Sequence, residues 1–186
     1  MHKLANQFKN QNILIYGFGK SGKACFNYLS KKNNLTVYDD QFTNIPKKFK
    51  KNFTVKSKLI KIIFDYIVLS PGININNCPL KNFLKKNRNK IISELDIFYL
   101  DNKNNKKFTI TGTNGKSTTC KLLHDVLVKN NYDVRLVGNI GNPILLEQNI
   151  KPETIFVIEA SSYQIEYSKY FKTDLAVILN ISPNHF

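Results

Sequence analysis

The sequence predicts an α/β protein built from two successive units, each with a parallel sheet. Three observations carry this reading. Short apolar runs of the kind buried in parallel sheets alternate with stretches of helical periodicity along the 186 residues, enough chain for two small cores. Two of those runs lead directly into glycine-rich turns that open a helix, Gly17-Phe18-Gly19-Lys20-Ser21-Gly22 and Gly112-Thr113-Asn114-Gly115-Lys116-Ser117. Between them lies a polar, aperiodic stretch, Asp101 to Lys107, on the way into the second glycine turn. The units are expected over residues 1–92 and 93–186.

In the first unit, Asn12 to Tyr16 is the entering strand, and about Lys20 to Lys31 is the helix, with Ala24, Cys25, Tyr28 and Leu29 at helical spacing. Leu35 to Tyr38 is the second strand, ending in Asp39 and Asp40. Strand, GxGxxG turn, helix, strand and an acidic residue about twenty positions on make a dinucleotide-type βαβ unit, that is, a Rossmann-like domain. Spacing alone leaves NAD and a uridine nucleotide both open. In either case the carboxylate addresses a ribose hydroxyl, with Asp39 favoured because it directly ends the strand. Phe53 to Val55 and Tyr66 to Leu69 are read as further strands, the latter stopped by Ser70-Pro71-Gly72-Ile73 at its carboxyl end, where ligands of open α/β sheets sit. Pro79 to Lys86 is expected to be a helix with proline at its first position, followed by a short strand, Lys90 to Ile92. Ser93-Glu94 then caps the helix Leu95 to Leu100.

In the second unit, the run around Thr109 enters a turn in which glycines let successive amides point inward while the following helix, through Lys129, adds its positive end. Lys116 would meet the β/γ-phosphates of a nucleotide and the Ser117 hydroxyl would hold Mg²⁺. The turn has only Thr113 and Asn114 between its glycines, fewer than the common nucleotide loop. Tyr132 to Val137 is the next strand, running into Gly138-Asn139-Ile140-Gly141, and Ile144 to Asn149 is a short helical piece. Thr154 to Ile158 is a buried strand with Glu159 at its tip, a carboxylate placed for the Mg²⁺ of a bound nucleotide. Leu175 to Leu179 is read as another buried strand, and His185 is open between surface loop and ligand.

Composition narrows the classes of function. The net charge of +15 would suggest nucleic acid or an anionic membrane, but Arg88 and Arg135 are the only arginines. A Lys/Asn/Ile bias of this kind is what AT-rich coding produces, and no RNA-binding aromatic signature accompanies the lysine clusters, so neither nucleic acid nor membrane is expected as partner. Cys25, Cys78 and Cys120 are odd in number and lack metal-ligand spacing, which reads as reduced thiols in a cytoplasmic protein. The apolar run ILIYGF near the N-terminus is too short for a signal core or membrane span.

The string GTNGKST resembles the ATP loop of the Mur ligase superfamily, which also includes folylpolyglutamate synthases. Taken in order, GFGKSG, DD, SPGI, SEL, GTNGKST, GNIG, EASSYQIE and NISPNH are similar to the D-glutamate-adding branch of that superfamily, with SSYQIE the most discriminating piece. The L-alanine-adding relatives share the GxGxxG start but usually carry His where Asn114 stands. This resemblance implies a Rossmann-like nucleotide-sugar domain followed by an incomplete phosphate-loop ATPase-type central domain. It also implies ATP and Mg²⁺ as cofactors, UDP-N-acetylmuramoyl-L-alanine and D-glutamate as substrates, an acyl phosphate on the way to the amide, and a monomer. By resemblance, Gly17, Phe18, Gly19, Lys20, Ser21, Gly22, Asp39 and Gly72 would hold the uridine diphosphate. Gly112 through Thr118 would hold ATP, with Lys116 on the transferring phosphoryl group. Ser117 and Glu159 would ligate Mg²⁺, while Asn139, Ser161 and His185 would contact the muramoyl substrate, His185 also near a second Mg²⁺. Asn184 departs from the Asp usual before that histidine, and the family's carbamylated lysine and C-terminal domain have no counterpart before Phe186. The expectation is therefore a fragment without full activity, the alternatives being a UDP-nucleotide-binding module without catalysis or another Mur ligase such as the L-alanine-adding enzyme.

Overall fold

A computed structural model of the chain describes residues 8–41 and 45–182. Its first sheet holds β1 (Asn12–Tyr16), β2 (Asn34–Tyr38), β3 (Tyr66–Leu69) and β4 (Ile91–Ile92), all parallel, in the order β2-β1-β3-β4. The helices α1 (Lys20–Leu29), α2 (Lys56–Leu59) and α3 (Lys81–Lys86) connect these strands. Register pairs Tyr16 with both Tyr38 and Leu69, so the three strands end level. The residues that follow, Gly17, Asp39 and Ser70, are thereby gathered at the carboxyl end of the sheet.

Between the sheets lies α4 (Glu94–Asp101). The second sheet holds β5 (Lys107–Thr111), β6 (Val134–Gly138), β7 (Ile155–Glu159) and β8 (Leu175–Ile178) in the order β6-β7-β5-β8, again all parallel. Its helices are α5 (Lys116–Lys129) and α6 (Ser162–Tyr167). Glu159 is in register with Ile110 and with Gly138, and Thr111 with Ile178, so the glycine turn, the Asn139 loop and the chain after β8 emerge at one end.

One apolar core runs through both units: Ile13 and Ile15 of the first sheet and Val137, Phe156 and Ile158 of the second share it with Leu95, Ile97 and Phe98 of α4. The Phe98 and Phe156 rings meet edge to face with centroids 4.7 Å apart. Residues Glu94 to Phe98 are all buried, as expected of a helix with neighbours on every side. Its N-terminus is closed by a capping box in which Asp96 accepts from the Ser93 amide at 2.9 Å. The other Asp96 oxygen accepts from the amides of Lys169, Tyr170 and Phe171 at 2.9, 2.7 and 2.9 Å, fastening the segment after α6 to the start of α4.

The structure departs from the sequence expectations in four places. Phe53 to Val55 is not a strand: Phe53 makes a single bridge to Val37, because a 3₁₀ turn (Lys47–Asn52) ends just before it and α2 begins at Lys56. Pro79 is not in the first helical turn, since a turn through Leu80, closed by the Lys81 amide on the Cys78 carbonyl at 3.1 Å, precedes α3. The helical piece after Pro143 is only a 3₁₀ turn, Ile144–Leu146. β8 is not buried: among the described residues it pairs with β5 alone at the end of the sheet, leaving Leu175 49% and Ile178 64% exposed.

Candidate functional site

Two clefts open at the carboxyl ends of the sheets. The first, of about 510 Å³, is walled by Gly17, Gly19, Lys20, Ser21, Asp39, Asp40 and the Ser70 to Asn74 loop, among others. Hydrogen bonds fix its glycine turn: the Gly17 amide donates to Tyr38 O at 2.9 Å, the Phe18 amide to Asp39 Oδ2 at 2.5 Å, and Ser70 Oγ to Gly17 O at 2.9 Å. Gly22 is there because the helix presses on the turn: a Cβ would lie 2.0 Å from the Gly17 carbonyl oxygen. Gly19 is different, for a Cβ would meet nothing within 4 Å, so no contact within the described chain demands glycine. Its missing side chain leaves room over the cleft for a ligand to approach the backbone.

Asp39 also accepts from the Gln41 amide at 2.9 Å, so this carboxylate both holds the turn and faces the cleft. Phe18 does not present its ring there. The ring is buried against Phe26, Phe49 and Phe53 at centroid distances of 5.9, 5.0 and 5.1 Å, which makes Phe18 the anchor of the turn. Beneath, Tyr16 Oη donates to Asp40 Oδ2 at 2.6 Å, and burial with that carboxylate pushes its hydroxyl well above the usual tyrosine range.

The second cleft, of about 1150 Å³, lies over the phosphate-type turn and is walled in part by Gly112, Thr113, Lys116, Asn139, Ser161 and Asn180. Gly115 caps α5 with φ +82°, a left-handed conformation suited to glycine. Asn114 is exposed, and Thr118 faces solvent from the first turn of α5. Lys116 Nζ folds over the turn and donates to Gly112 O at 2.6 Å and Thr113 O at 2.9 Å. Ser117 Oγ donates to Glu159 Oε2 at 2.8 Å, joining the two residues expected around one cation. Asn139 is pinned beside them by its amide on Glu159 O at 3.0 Å, and Ser161 caps α6 at the cleft wall. Below the turn, burial pushes the Cys120 thiol up to about 12, which keeps it a neutral packing group.

Asn180 escaped the sequence reading. Its side chain accepts from the Asn114 amide at 2.9 Å and donates to the Asn114 carbonyl at 3.0 Å, while its own carbonyl takes the Thr113 amide at 3.0 Å. The available signal was an amide side chain just past a strand that the topology sets beside β5. His185 and Asn184 lie outside the described residues. Pro71, Gly72 and Asn74 wall both clefts.

Among the described residues, no group of three or more His, Cys, Asp or Glu side chains could cage a metal. A nucleotide-bound Mg²⁺ needs no such cage, because it keeps waters and phosphate oxygens and takes only one or two protein oxygens. The Ser117 hydroxyl and the nearly buried Glu159 carboxylate fit that requirement.

Residues 110–186 match the family described as Mur ligase middle domain. Across nearly the whole chain there is similarity to UDP-N-acetylmuramoylalanine--D-glutamate ligases: 40% identity to that of Rickettsia bellii, covering 95% of this chain, and 40% to that of Rickettsia prowazekii, covering 97%. Residues 110–186 belong to the Mur ligase middle domain family. The chain spans about two fifths of the length of these curated relatives, 40% and 41% respectively. The Caldicellulosiruptor bescii relative of the same name is 34% identical over 95% of the chain. Among solved structures, a Mur ligase from Neisseria meningitides, UDP-N-acetylmuramate:L-alanyl-gamma-D-glutamyl-meso-diaminopimelate ligase, superposes with TM-score 0.51 at 16% identity over 95% of this chain and 62% of its own, a likeness of fold. The fold is thus that of a Mur ligase, two parallel α/β sheets in tandem, and no helix among the described residues is long and apolar enough to cross a membrane.

Proposed function

We propose that the chain supplies the nucleotide-sugar site and the ATP loop of a ligase that adds D-glutamate to UDP-N-acetylmuramoyl-L-alanine in peptidoglycan synthesis. The observation that carries this reading is the Ser117–Glu159 contact of 2.8 Å, next to Lys116 and Asn139 on the wall of a cleft that also shares the Pro71, Gly72 and Asn74 wall with the cleft of the GxGxxG turn. A phosphate-and-metal end and a nucleotide-sugar end are thereby contiguous, as a reaction between ATP and a UDP-linked carboxylate requires. The chain-wide similarity to D-glutamate-adding enzymes supports the choice of substrate.

In this reading Gly17, Gly19, Lys20, Ser21, Asp39 and Gly72 line the uridine diphosphate site, Phe18 and Gly22 hold its turn in shape, and residues 93–186 carry the ATP site of the domain that begins there. Gly112 to Thr118 wrap the phosphates of ATP, Ser117 and Glu159 hold Mg²⁺, and Asn139 and Ser161 face the muramoyl group. When bound, ATP and Mg²⁺ supply activation of the substrate carboxylate. The contribution of Lys116 is electrostatic, a preorganised ammonium aimed at charge developing on phosphoryl oxygens. His185 is proposed to complete the substrate end.

Calorimetric titration of the 186-residue chain tests this. UDP-N-acetylmuramoyl-L-alanine should bind, and Asp39→Ala should weaken it by about 1–3 kcal/mol, roughly five- to 150-fold in Kd. Equal affinity in the two proteins, or tighter binding of NAD than of the UDP-sugar, would remove the assignment.

A further inference from the structure

Glu94 is the second residue of the Ser93 to Asp96 capping turn, and no role falls to it in the function above. It is 2% exposed and stands where the two units meet. Its Oε1 accepts from Ser21 Oγ of α1 at 3.2 Å and from Gln164 Nε2 of α6 at 2.8 Å, while Oε2 is buried and has no hydrogen-bond partner. Each of those partners stands at one cleft. Ser21 lies on the wall of the first. Gln164 closes the capping box of α6 by accepting from the Ser161 amide at 2.9 Å, and Ser161 lies on the wall of the second. A buried carboxylate with an unsatisfied oxygen is costly to keep in a core, and an apolar residue of similar size would pack the same space more favourably. The groups facing Glu94 are Ser21 and the buried Cys25 thiol from α1 and Gln164 from α6. On its own helix Asp96 is committed to backbone amides.

We infer that Glu94 is a positioning residue, tying the start of α1 to the start of α6 and so fixing the separation between the nucleotide end and the muramoyl end of one extended substrate site. The inference rests on the proposed function for the identity of that substrate. It requires that a ligand confined to the first cleft be indifferent to Glu94, whereas one that reaches both clefts is not. UDP is the first kind of probe and UDP-N-acetylmuramoyl-L-alanine the second.

The test uses the 186-residue chain and its Glu94→Ala and Glu94→Gln variants. Both ligands are titrated calorimetrically, and hydrogen–deuterium exchange is followed without ligand in segments 17–24 and 161–168. Glu94→Ala should bind UDP within about twofold of the parent and the UDP-sugar about tenfold more weakly, with faster exchange in both segments together. Glu94→Gln, which retains the accepting oxygen, should restore the UDP-sugar affinity and slow exchange. Equal weakening of both ligands, no weakening of either, or faster exchange in one segment only would overturn the inference. If the parent binds neither ligand, the proposed function fails, and the exchange data alone decide whether Glu94 joins the two segments. A Glu94→Ala protein too unstable to titrate leaves Glu94→Gln to decide: exchange as fast in it as in Glu94→Ala would refute the tie.

Discussion

At the scale of single residues, Glu94 also governs a pH response. Burial raises its carboxyl from an ordinary value near 4.5 to about 7, against the opposing hydrogen bonds from Ser21 and Gln164. The folded state therefore binds the proton more tightly than the unfolded chain does. Its contribution to stability is fully present below about 4.5 and is lost as pH rises through 7. Glu94→Gln removes this titration. Unfolding free energies from urea titration of the parent and the variant should differ by nearly the same amount at pH 4 and pH 4.5, then diverge in favour of the variant by about 3 kcal/mol at pH 8. A gap that stays constant between pH 4.5 and 8 would show that Glu94 does not titrate in this window. The residue types at the glycine turns were legible in the sequence because their chemistry is local. Glu94 and Asn180 were not, because their roles depend on partners about 70 positions away, Gln164 for one and Asn114 for the other.

At the scale of elements, the turn before α1 separates two uses of glycine. Gly22→Ala would drive a Cβ to within 2.0 Å of the Gly17 carbonyl oxygen, a backbone atom that cannot swing aside. We expect it to displace α1 and to cost several kcal/mol by denaturant unfolding. Gly19→Ala meets nothing within 4 Å and sits at φ −70°, so stability should move by less than about 1 kcal/mol while UDP-sugar affinity falls at least tenfold. If Gly19→Ala retains parental affinity, no ligand approaches that backbone closely. Elements whose strands sit between two neighbours were well read from their apolar runs, β1, β3, β5 and β7 among them. Phe53 to Val55 misled because an apolar triplet carries no record of whether helices on either side leave it room to pair. β8 misled for a related reason, since the run from Leu175 looks the same whether a strand is flanked on both sides or on one.

At the scale of the whole molecule, the exposed β8 has a measurable consequence. Leu175 and Ile178 are 49 and 64% exposed along a strand that pairs on one side only among the described residues, and Ile181 just past its end is 86% exposed. Such an apolar edge is a template for pairing between copies. Sedimentation velocity should show self-association rising with concentration, and Ile178→Lys should suppress it without lowering the unfolding midpoint by more than about 0.5 kcal/mol. A parent that stays monomeric at high concentration would contradict this. The tandem of two sheets could be inferred from the two glycine turns. The single core running through both could not, because the helix Leu95 to Leu100 reads from sequence as the start of the second unit, and only its burial with Ile13 and Ile15 of one sheet and Phe156 and Ile158 of the other shows that it joins the two.

The loop of Pro71, Gly72 and Asn74 walls the nucleotide cleft on one side and the phosphate-turn cleft on the other. A shared wall is a route for thermodynamic linkage between the two occupants: whatever change a ligand in one cleft makes in the affinity of the other, the second must return to the first in equal measure. Cooperativity of either sign would be reciprocal, and a dissociation constant measured for one ligand alone would describe only the half-filled protein.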